Sequence, residues 1–251
     1  MELALKNNEF KIFLQPKYNI VQNKIVGAEA LIRWQKNSKL ILPDKFLPDA
    51  VKNNFITKID YFVFENICLL IKDWLSRNIL PVPISINIDK LDMYNDKFIE
   101  SLNTTIKKYN VPIKYVELEI TENATENFNL FSQAANKLKN FGFKLSMDDF
   151  GSGYSSLSFL CDIPVDTLKL DKKFLTAHKN INRCKIVIES IISMAKRLNI
   201  NVIAEGVETQ AQVDFLKSVG CEIIQGYYFS PALTFKDFEK KLLEADGDDK
   251  R

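Results

Sequence analysis

Carboxylate and amide side chains recur at the ends of apolar runs in this sequence. Glu29 sits inside VGAEALI, Asn87 closes ISIN, and Glu119 and Glu122 lie in VELEITEN. Asp148 and Asp149 follow FKLSM, Glu205 stands in NVIAEGV, and Gln225 ends CEIIQ. Any one of these has an ordinary explanation, because an acidic residue after a strand is often a helix cap or a turn residue. Six run ends carrying oxygen donors ask for a shared cause. Carboxylates within apolar runs are costly to bury unpaired, so cations must lie nearby. Oxygen donors in a chain whose one histidine is His178 select Mg²⁺ or Mn²⁺, with Ca²⁺ as a structural mimic. Adjacent Asp148 and Asp149 suit two ions bridged by one carboxylate, about 3.5–4 Å apart, a pair that clamps the attacking and leaving oxygens of a phosphoester. Lys169, in DTLKLD, alternates with Leu168 and Leu170 and brings a positive charge to the same end. These parts perform phosphodiester chemistry; they do not name the substrate.

Such residues meet only if their strands do. Short β-rich runs cover 10–15, 24–31, 82–87, 115–120, 143–147, 167–170, 201–204 and 222–225, with helical periodicity at 59–77, 97–109, 130–141, 183–198 and 209–219. Strands alternating with helices favour a closed parallel barrel and leave an open doubly wound sheet as the alternative. In a barrel the carboxyl ends of the strands converge on one face. The interval from Gln15 to Lys24 is too short for a crossover helix, so the first two strands form an antiparallel hairpin. The stretch from Asp149 to Pro164 is a long loop rich in Gly and Ser, a length usually tied to function.

Composition narrows the class. Among 251 residues, 34 Lys+Arg against 32 Asp+Glu leave a net charge of +2, which gives no reason to expect a nucleic-acid polymer or a membrane surface as partner. No apolar run is long enough to span a bilayer, and MELALKNNEF is no signal peptide. Cys68, Cys161, Cys184 and Cys221 are widely spaced, which predicts reduced and mostly buried thiols rather than a disulfide or zinc framework. His178, in TAHKNINR, is expected on a surface loop. Residues 1–245 are expected to form one domain, with 246–251 a frayed tail.

The motifs resemble those of the EAL domains, bacterial cyclic di-GMP phosphodiesterases. Glu29-Ala30-Leu31 stands in GAEALIRW after Gln15-Pro16, and SIN, EITE, DDFGSGYSSL, LKLD, AEGVET and QGYYFSP follow in family order to about residue 240. Three letters alone would mean nothing; seven ordered blocks are specific. Asp89, where the family often has Ser, and the absence of a basic residue before Pro231 are small departures that touch no ligand position.

The resemblance implies an α/β fold, a modified TIM (β/α)8 barrel with an antiparallel first strand. It implies metal ligation by Glu29, Asn87, Glu119, Asp148 and Asp149, with two ions, Mg²⁺ or Mn²⁺, and with Ca²⁺ binding but inhibiting. Lys169 then helps to position the hydrolytic water, and Glu205 is the general base or a ligand beside the metals. Gln15, Leu31 and Arg33 match substrate contacts, the last suited to a phosphate; Asp171, Glu208 and Gln225 match further site positions. Glu122 matches the residue holding the loop Phe150, Gly151, Ser152, Gly153, Tyr154, Ser155 and Ser156, which links metal binding to dimerisation in relatives. The implied activity is hydrolysis of cyclic di-GMP to linear pGpG, in the cytoplasm, by a homodimer. The chain could stand alone or follow sensory or cyclase-like domains in a longer, membrane-bound parent. Degenerate members that only bind the dinucleotide as receptors usually lack a metal ligand or the base. This chain keeps them all, which favours the enzyme.

Overall fold

The computed structural model describes residues 1–121, 128–151, 157, 159–176 and 180–248. Nine strands form one sheet: β1 (Phe10–Asn19), β2 (Lys24–Lys36), β3 (Lys39–Ile41), β4 (Ile84–Ile88), β5 (Val116–Thr121), β6 (Lys144–Phe150), β7 (Thr167–Leu170), β8 (Asn201–Ala204) and β9 (Ile223–Ile224). Eight of them close a ring in the order β1-β2-β4-β5-β6-β7-β8-β9, and β9 returns to β1. Each neighbouring pair is parallel except those of β1, which runs antiparallel to both β2 and β9. The expected barrel and its reversed first strand are therefore both present, and the open sheet is excluded.

The hairpin is tighter than the apolar pattern implied. β1 runs on to Asn19, whose Oδ1 accepts from the backbone N–H groups of Val21 and Gln22, and Asn23 turns the chain at φ +55°. β3 had no sequence signal. It pairs with the end of β2 outside the ring, across Asn37 and Ser38, both at positive φ. Two successive positive φ values make the hairpin turn whose twist matches the strands, and here no glycine announces it.

Among the described residues, ten α-helices surround the ring: α1 (Glu2–Lys6), α2 (Leu47–Lys52), α3 (Ile56–Ser76), α4 (Lys90–Met93), α5 (Asp96–Tyr109), α6 (Phe128–Phe141), α7 (Phe159–Asp162), α8 (Ile181–Arg197), α9 (Gln210–Ser218) and α10 (Phe235–Asp248). The periodicity located α3, α5, α6, α8 and α9. It missed α10, whose composition is dominated by Lys, Glu and Asp. That helix holds on through Phe238, stacked on Trp74 at 6.0 Å, and through Glu239, which accepts from Trp74 Nε1 at 2.8 Å. It runs to Asp248, past the expected start of the tail. No helix among the described residues is long and apolar enough to cross a membrane.

Burial of the thiols is only half as expected. Cys68 and Cys221 are buried, but Cys161 on α7 is exposed and Cys184 on α8 is intermediate. His178 falls outside the described residues.

Strand alternation divides the interior in an uncommon way. Ile84, Ile86, Leu118, Leu145, Met147 and Leu168 are fully or almost fully buried between the strands and the helices. The alternate positions face the barrel axis, where branched apolar residues usually stack in layers. Here they are Ser85 and Asn87, Glu117 and Glu119, Ser146 and Asp148, Thr167 and Lys169. The apolar core lies mostly outside the ring, and the axis is largely polar, with Ile203 and Ile223 in register with Lys169 as apolar exceptions.

Candidate active site at the carboxyl mouth of the barrel

Lys169 is the centre of the site. It is 0% exposed, and its Nζ lies 2.6 Å from Glu119 Oε2, 2.7 Å from Glu205 Oε1, 2.9 Å from Asp148 Oδ1 and 3.3 Å from Glu29 Oε2. An ammonium so deeply desolvated is costly unless several carboxylates surround it, and four from four strands or strand ends do so. Although burial alone would lower its pKa, the four negative charges hold it well above the ordinary lysine value.

A second ammonium lies below it. Lys17, from β1, is 4% exposed, and its Nζ bonds Ser85 Oγ at 2.7 Å, Glu119 Oε1 at 2.9 Å and Glu117 Oε2 at 3.4 Å. Glu117 in turn accepts from Thr167 Oγ1 at 2.9 Å. Neither Lys17 nor Glu117 stood out in the sequence. The one available signal was alternation, since Lys17 shares a strand face with Gln15.

Amides complete the upper layer. Glu29 Oε1 accepts from Asn87 Nδ2 at 2.9 Å, and its Oε2 accepts from Gln225 Nε2 at 2.6 Å. Gln225 Nε2 also bonds Gln15 Oε1 at 3.0 Å, which fixes the orientation of the Gln225 amide. That leaves Gln225 Oε1 buried without a hydrogen-bond partner among the described residues.

The adjacent aspartates reach the site through a bulge. The β6–β7 register runs Met147↔Leu168 and then Phe150↔Leu170, so three residues of β6 oppose two of β7. Asp149 takes φ +54° there, a left-handed conformation that an aspartate tolerates better than most residues. In a regular strand the two carboxyls would point to opposite faces. Here both line one cavity.

That cavity, of about 300 Å³, is lined by Gln15, Glu29, Asp148, Asp149, Asp171, Glu205, Glu208, Gln225 and Tyr227, among others. Asn87, Glu119 and Lys169 do not line it; Asn87 bonds the lining residue Glu29, Lys169 pairs with Glu29, Asp148 and Glu205, and Glu119 is held by Lys169. Asp171 is buried and caps the following turn by accepting from Lys173 N at 2.9 Å. Leu31 and Arg33 do not line it. They follow Glu29 on the same face of β2, both partly buried; Arg33 Nη1 donates to Ile32 O at 2.8 Å. Phe150 is buried, and Gly151, at φ +85°, lies so close to the Phe174 ring that a Cβ would meet it at 2.4 Å. Glu122, Ser152, Gly153, Tyr154, Ser155 and Ser156 lie outside the described residues.

Charge in the site is unbalanced. Burial pushes the Glu205 carboxyl up to about 8, with the Asp148 and Glu29 charges adding and Lys169 opposing. Burial likewise raises Glu29, Asp148 and Asp149 above the usual carboxylate range. Glu119 goes the other way: burial would raise it, but Lys169 and Lys17, one on each oxygen, draw it down to about 2. Four carboxyls thus lack the positive charge they need. Among the described residues, two groups of three place one oxygen each within 4.8 Å of one another: Glu29, Glu119 and Asp148, then Asp148, Asp149 and Glu205. They share Asp148. The donors are all oxygen, the unpartnered Gln225 Oε1 lies beside them, and the set fits hard divalent cations.

Gly226 shows how closely the mouth is built. A Cβ there would fall 2.1 Å from Val207 O and 2.4 Å from Val207 N, both backbone atoms. Gly226→Ala must displace one of the two segments carrying Glu205 and Gln225. It should lower stability by about 3 kcal/mol, read as an earlier denaturant midpoint, with a parallel loss of divalent-cation affinity.

An eight-stranded barrel with a lysine-centred cluster of oxygen donors at the carboxyl ends of its strands defines a class, the barrel proteins equipped to hold divalent cations. Comparison with known proteins narrows it. The family model described as "EAL domain" matches residues 1–232. The signaling protein YkoW of Bacillus subtilis is 32% identical over 243 residues, 96% of this chain and 30% of that protein. The probable cyclic di-GMP phosphodiesterase PdeB of Escherichia coli is 34% identical over 236 residues, 94% of this chain and 45% of that one. Among solved structures, the "PaMucR Phosphodiesterase, c-di-GMP complex" superposes with a TM-score of 0.89 at 28% identity, covering 94% of this chain and 97% of that one. The chain belongs to the EAL domain family. It spans less than half the length of the two curated relatives just described.

Proposed function

We propose that the chain hydrolyses cyclic di-GMP to linear pGpG with two divalent cations, Mg²⁺ or Mn²⁺. The observation that carries this reading is the pair of acidic groups sharing Asp148 around one buried lysine. Glu29, Asn87, Glu119 and Asp148 would hold one ion, and Asp148 and Asp149 the other, with Glu205 beside them. When bound, the two ions neutralise the phosphodiester and polarise its attacking and leaving oxygens. Glu205, brought back to its ionised form by the added positive charge, takes a proton from the water that attacks phosphorus. Lys169 Nζ, 2.7 Å from Glu205 Oε1, orients that carboxylate and stabilises negative charge at the same point. The P–O3′ bond breaks, the 3′ oxygen takes up a proton, and the ring opens to a 5′ phosphate. Arg33, pulled from its usual guanidinium value by burial, is a candidate phosphate contact on the rim. Leu31, Asp171 and Glu208 are read as surrounding the substrate.

The test is chromatography of cyclic di-GMP after incubation with the chain. Mg²⁺ should yield pGpG. Ca²⁺ should retain binding and suppress turnover at least a hundredfold, because the larger ion accepts looser geometry. Equal rates with both ions would overturn the two-ion clamp; binding without product in Mg²⁺ would make the chain a receptor.

The raised Glu205 predicts a pH dependence of stability. Its folded value, about 8, lies above 4.5, so the folded state holds a proton that the unfolded state releases first. That stability is whole below pH 4.5 and is lost as pH rises through 8, by on the order of 5 kcal/mol. The metal-free protein should therefore melt earlier at pH 8 than at pH 5.5, and Mg²⁺ should raise the melting temperature more at pH 8. An equal Mg²⁺ effect at both pH values would contradict this.

A cytoplasmic location belongs to the same reading, supported by four free cysteines and no disulfide among the described residues. So does a homodimer. Ile181, Ile186 and Val187 on α8 and Leu157 before α7 are large apolar residues left exposed. Sensory or cyclase-like domains in a longer parent chain are supported by the small share of its relatives that this chain spans.

A further inference from the structure

We infer that Lys17 is a positioning residue for Glu119, the second of two ammonium groups that fix that carboxylate from opposite sides. The inference rests on the hydrolase reading above and adds a residue to its machinery. Glu119 Oε2 is held by Lys169 at 2.6 Å and Glu119 Oε1 by Lys17 at 2.9 Å. A carboxylate bonded through both oxygens cannot rotate, so its plane is set before any ligand arrives. Lys169 cannot do this alone, because its Nζ is shared among Glu119, Glu29, Asp148 and Glu205.

The fold makes room for Lys17 in three ways. β1 is the reversed strand, so its side chain enters the axis beneath Glu119 while Gln15 of the same face stays at the mouth. Gly27 opposes Lys17 across the hairpin, where a Cβ would come 3.4 Å from Lys17 Cδ and 3.1 Å from Pro83 O. A Cβ would touch the lysine stem at van der Waals distance and press on Pro83 O, so a glycine leaves the stem free space. Finally, Ser85 Oγ, Glu119 Oε1 and Glu117 Oε2 give the three ammonium hydrogens a partner each. Ligand-orienting groups of this kind typically alter metal affinity or activity by about 10–100-fold when removed.

Lys17→Met alone would also strand Glu117, so loss of activity could follow from poor folding. The decisive comparison uses wild type, Glu117→Gln, Lys17→Met and the double variant Lys17→Met/Glu117→Gln, in which the Lys17–Glu117 pair is removed together. Each is measured for melting temperature, Mg²⁺ affinity by calorimetry, and kcat and KM for cyclic di-GMP. Glu117→Gln should keep near wild-type kcat. The double variant should recover most of the melting temperature lost in Lys17→Met, yet remain about 10–100-fold low in kcat and weaker for Mg²⁺, with KM changed less than threefold. A double variant with wild-type kcat and Mg²⁺ affinity would overturn the positioning role and leave Lys17 a partner of Glu117 only. A wild-type chain that neither binds nor hydrolyses cyclic di-GMP would instead remove the hydrolase reading, and the Mg²⁺ affinities would still decide the part played by Lys17.

Discussion

Lys169→Met is expected to abolish turnover and to destabilise the metal-free protein by about 3–5 kcal/mol, because removing one partner of a buried ion pair strands the others. The lysine is 0% exposed and touches Glu29, Glu119, Asp148 and Glu205 within 3.3 Å. Methionine fills much the same volume, so the loss is one of charge and not of packing. For a chain of this size the melting temperature should fall by roughly 10 °C. The carboxyls can recover part of the cost by taking up protons, so the deficit should be larger at pH 8 than at pH 6. Mg²⁺ should narrow it. Rates at least a thousandfold below wild type are expected even in saturating Mg²⁺, since Glu205 and Glu119 lose the group that orients them. Urea unfolding at the two pH values, with and without Mg²⁺, checks the first part. An unfolding midpoint equal to wild type at pH 8 would mean that the four carboxylates do not depend on Lys169.

Glu29→Ala should be the reverse in its balance of effects, with nearly all of the activity lost and little of the stability. Asn87 Nδ2 loses its acceptor and Gln225 Nε2 keeps only Gln15 Oε1, a cost of about 1–3 kcal/mol. Against that, Glu29 is held above the usual carboxylate range by burial and by the charges of Glu119 and Asp148, so its removal relieves repulsion in a crowded site. The net change in melting temperature should stay within a few degrees. Turnover should drop at least a thousandfold and should not return at high Mg²⁺, because one of the two acidic groups then has only Glu119 and Asp148 left. Near-normal rates in saturating Mg²⁺ would remove Glu29 from the ligand set.

Much of the architecture was legible because it is written locally. The 15–24 interval could hold only a hairpin, and alternation around Lys169 put it inside, since Leu168 and Leu170 had to face the helices. The donors at the strand ends were readable one strand at a time. β3 and α10 were not: a two-residue turn without glycine gives no signal, and a charged helix is held by contacts such as Trp74 with Glu239, 165 residues apart.

By itself the sequence determined which atoms are available: oxygen donors and a lysine, placed at the carboxyl ends of strands that alternate with helices. Only the tertiary structure decided what those atoms do to one another. Ring closure brings Gln225 to Gln15 across 210 residues. A bulge turns Asp148 and Asp149 into the same cavity, where a regular strand would have parted them. The reversed first strand carries Lys17 under Glu119. The same burial that lifts Glu205 to about 8 is overcome at Glu119, drawn to about 2, because two ammonium groups reach one carboxylate and only one reaches the other. Residue type and spacing are properties of a segment, whereas desolvation and charge balance depend on every element around a group, and they exist only once the barrel is closed.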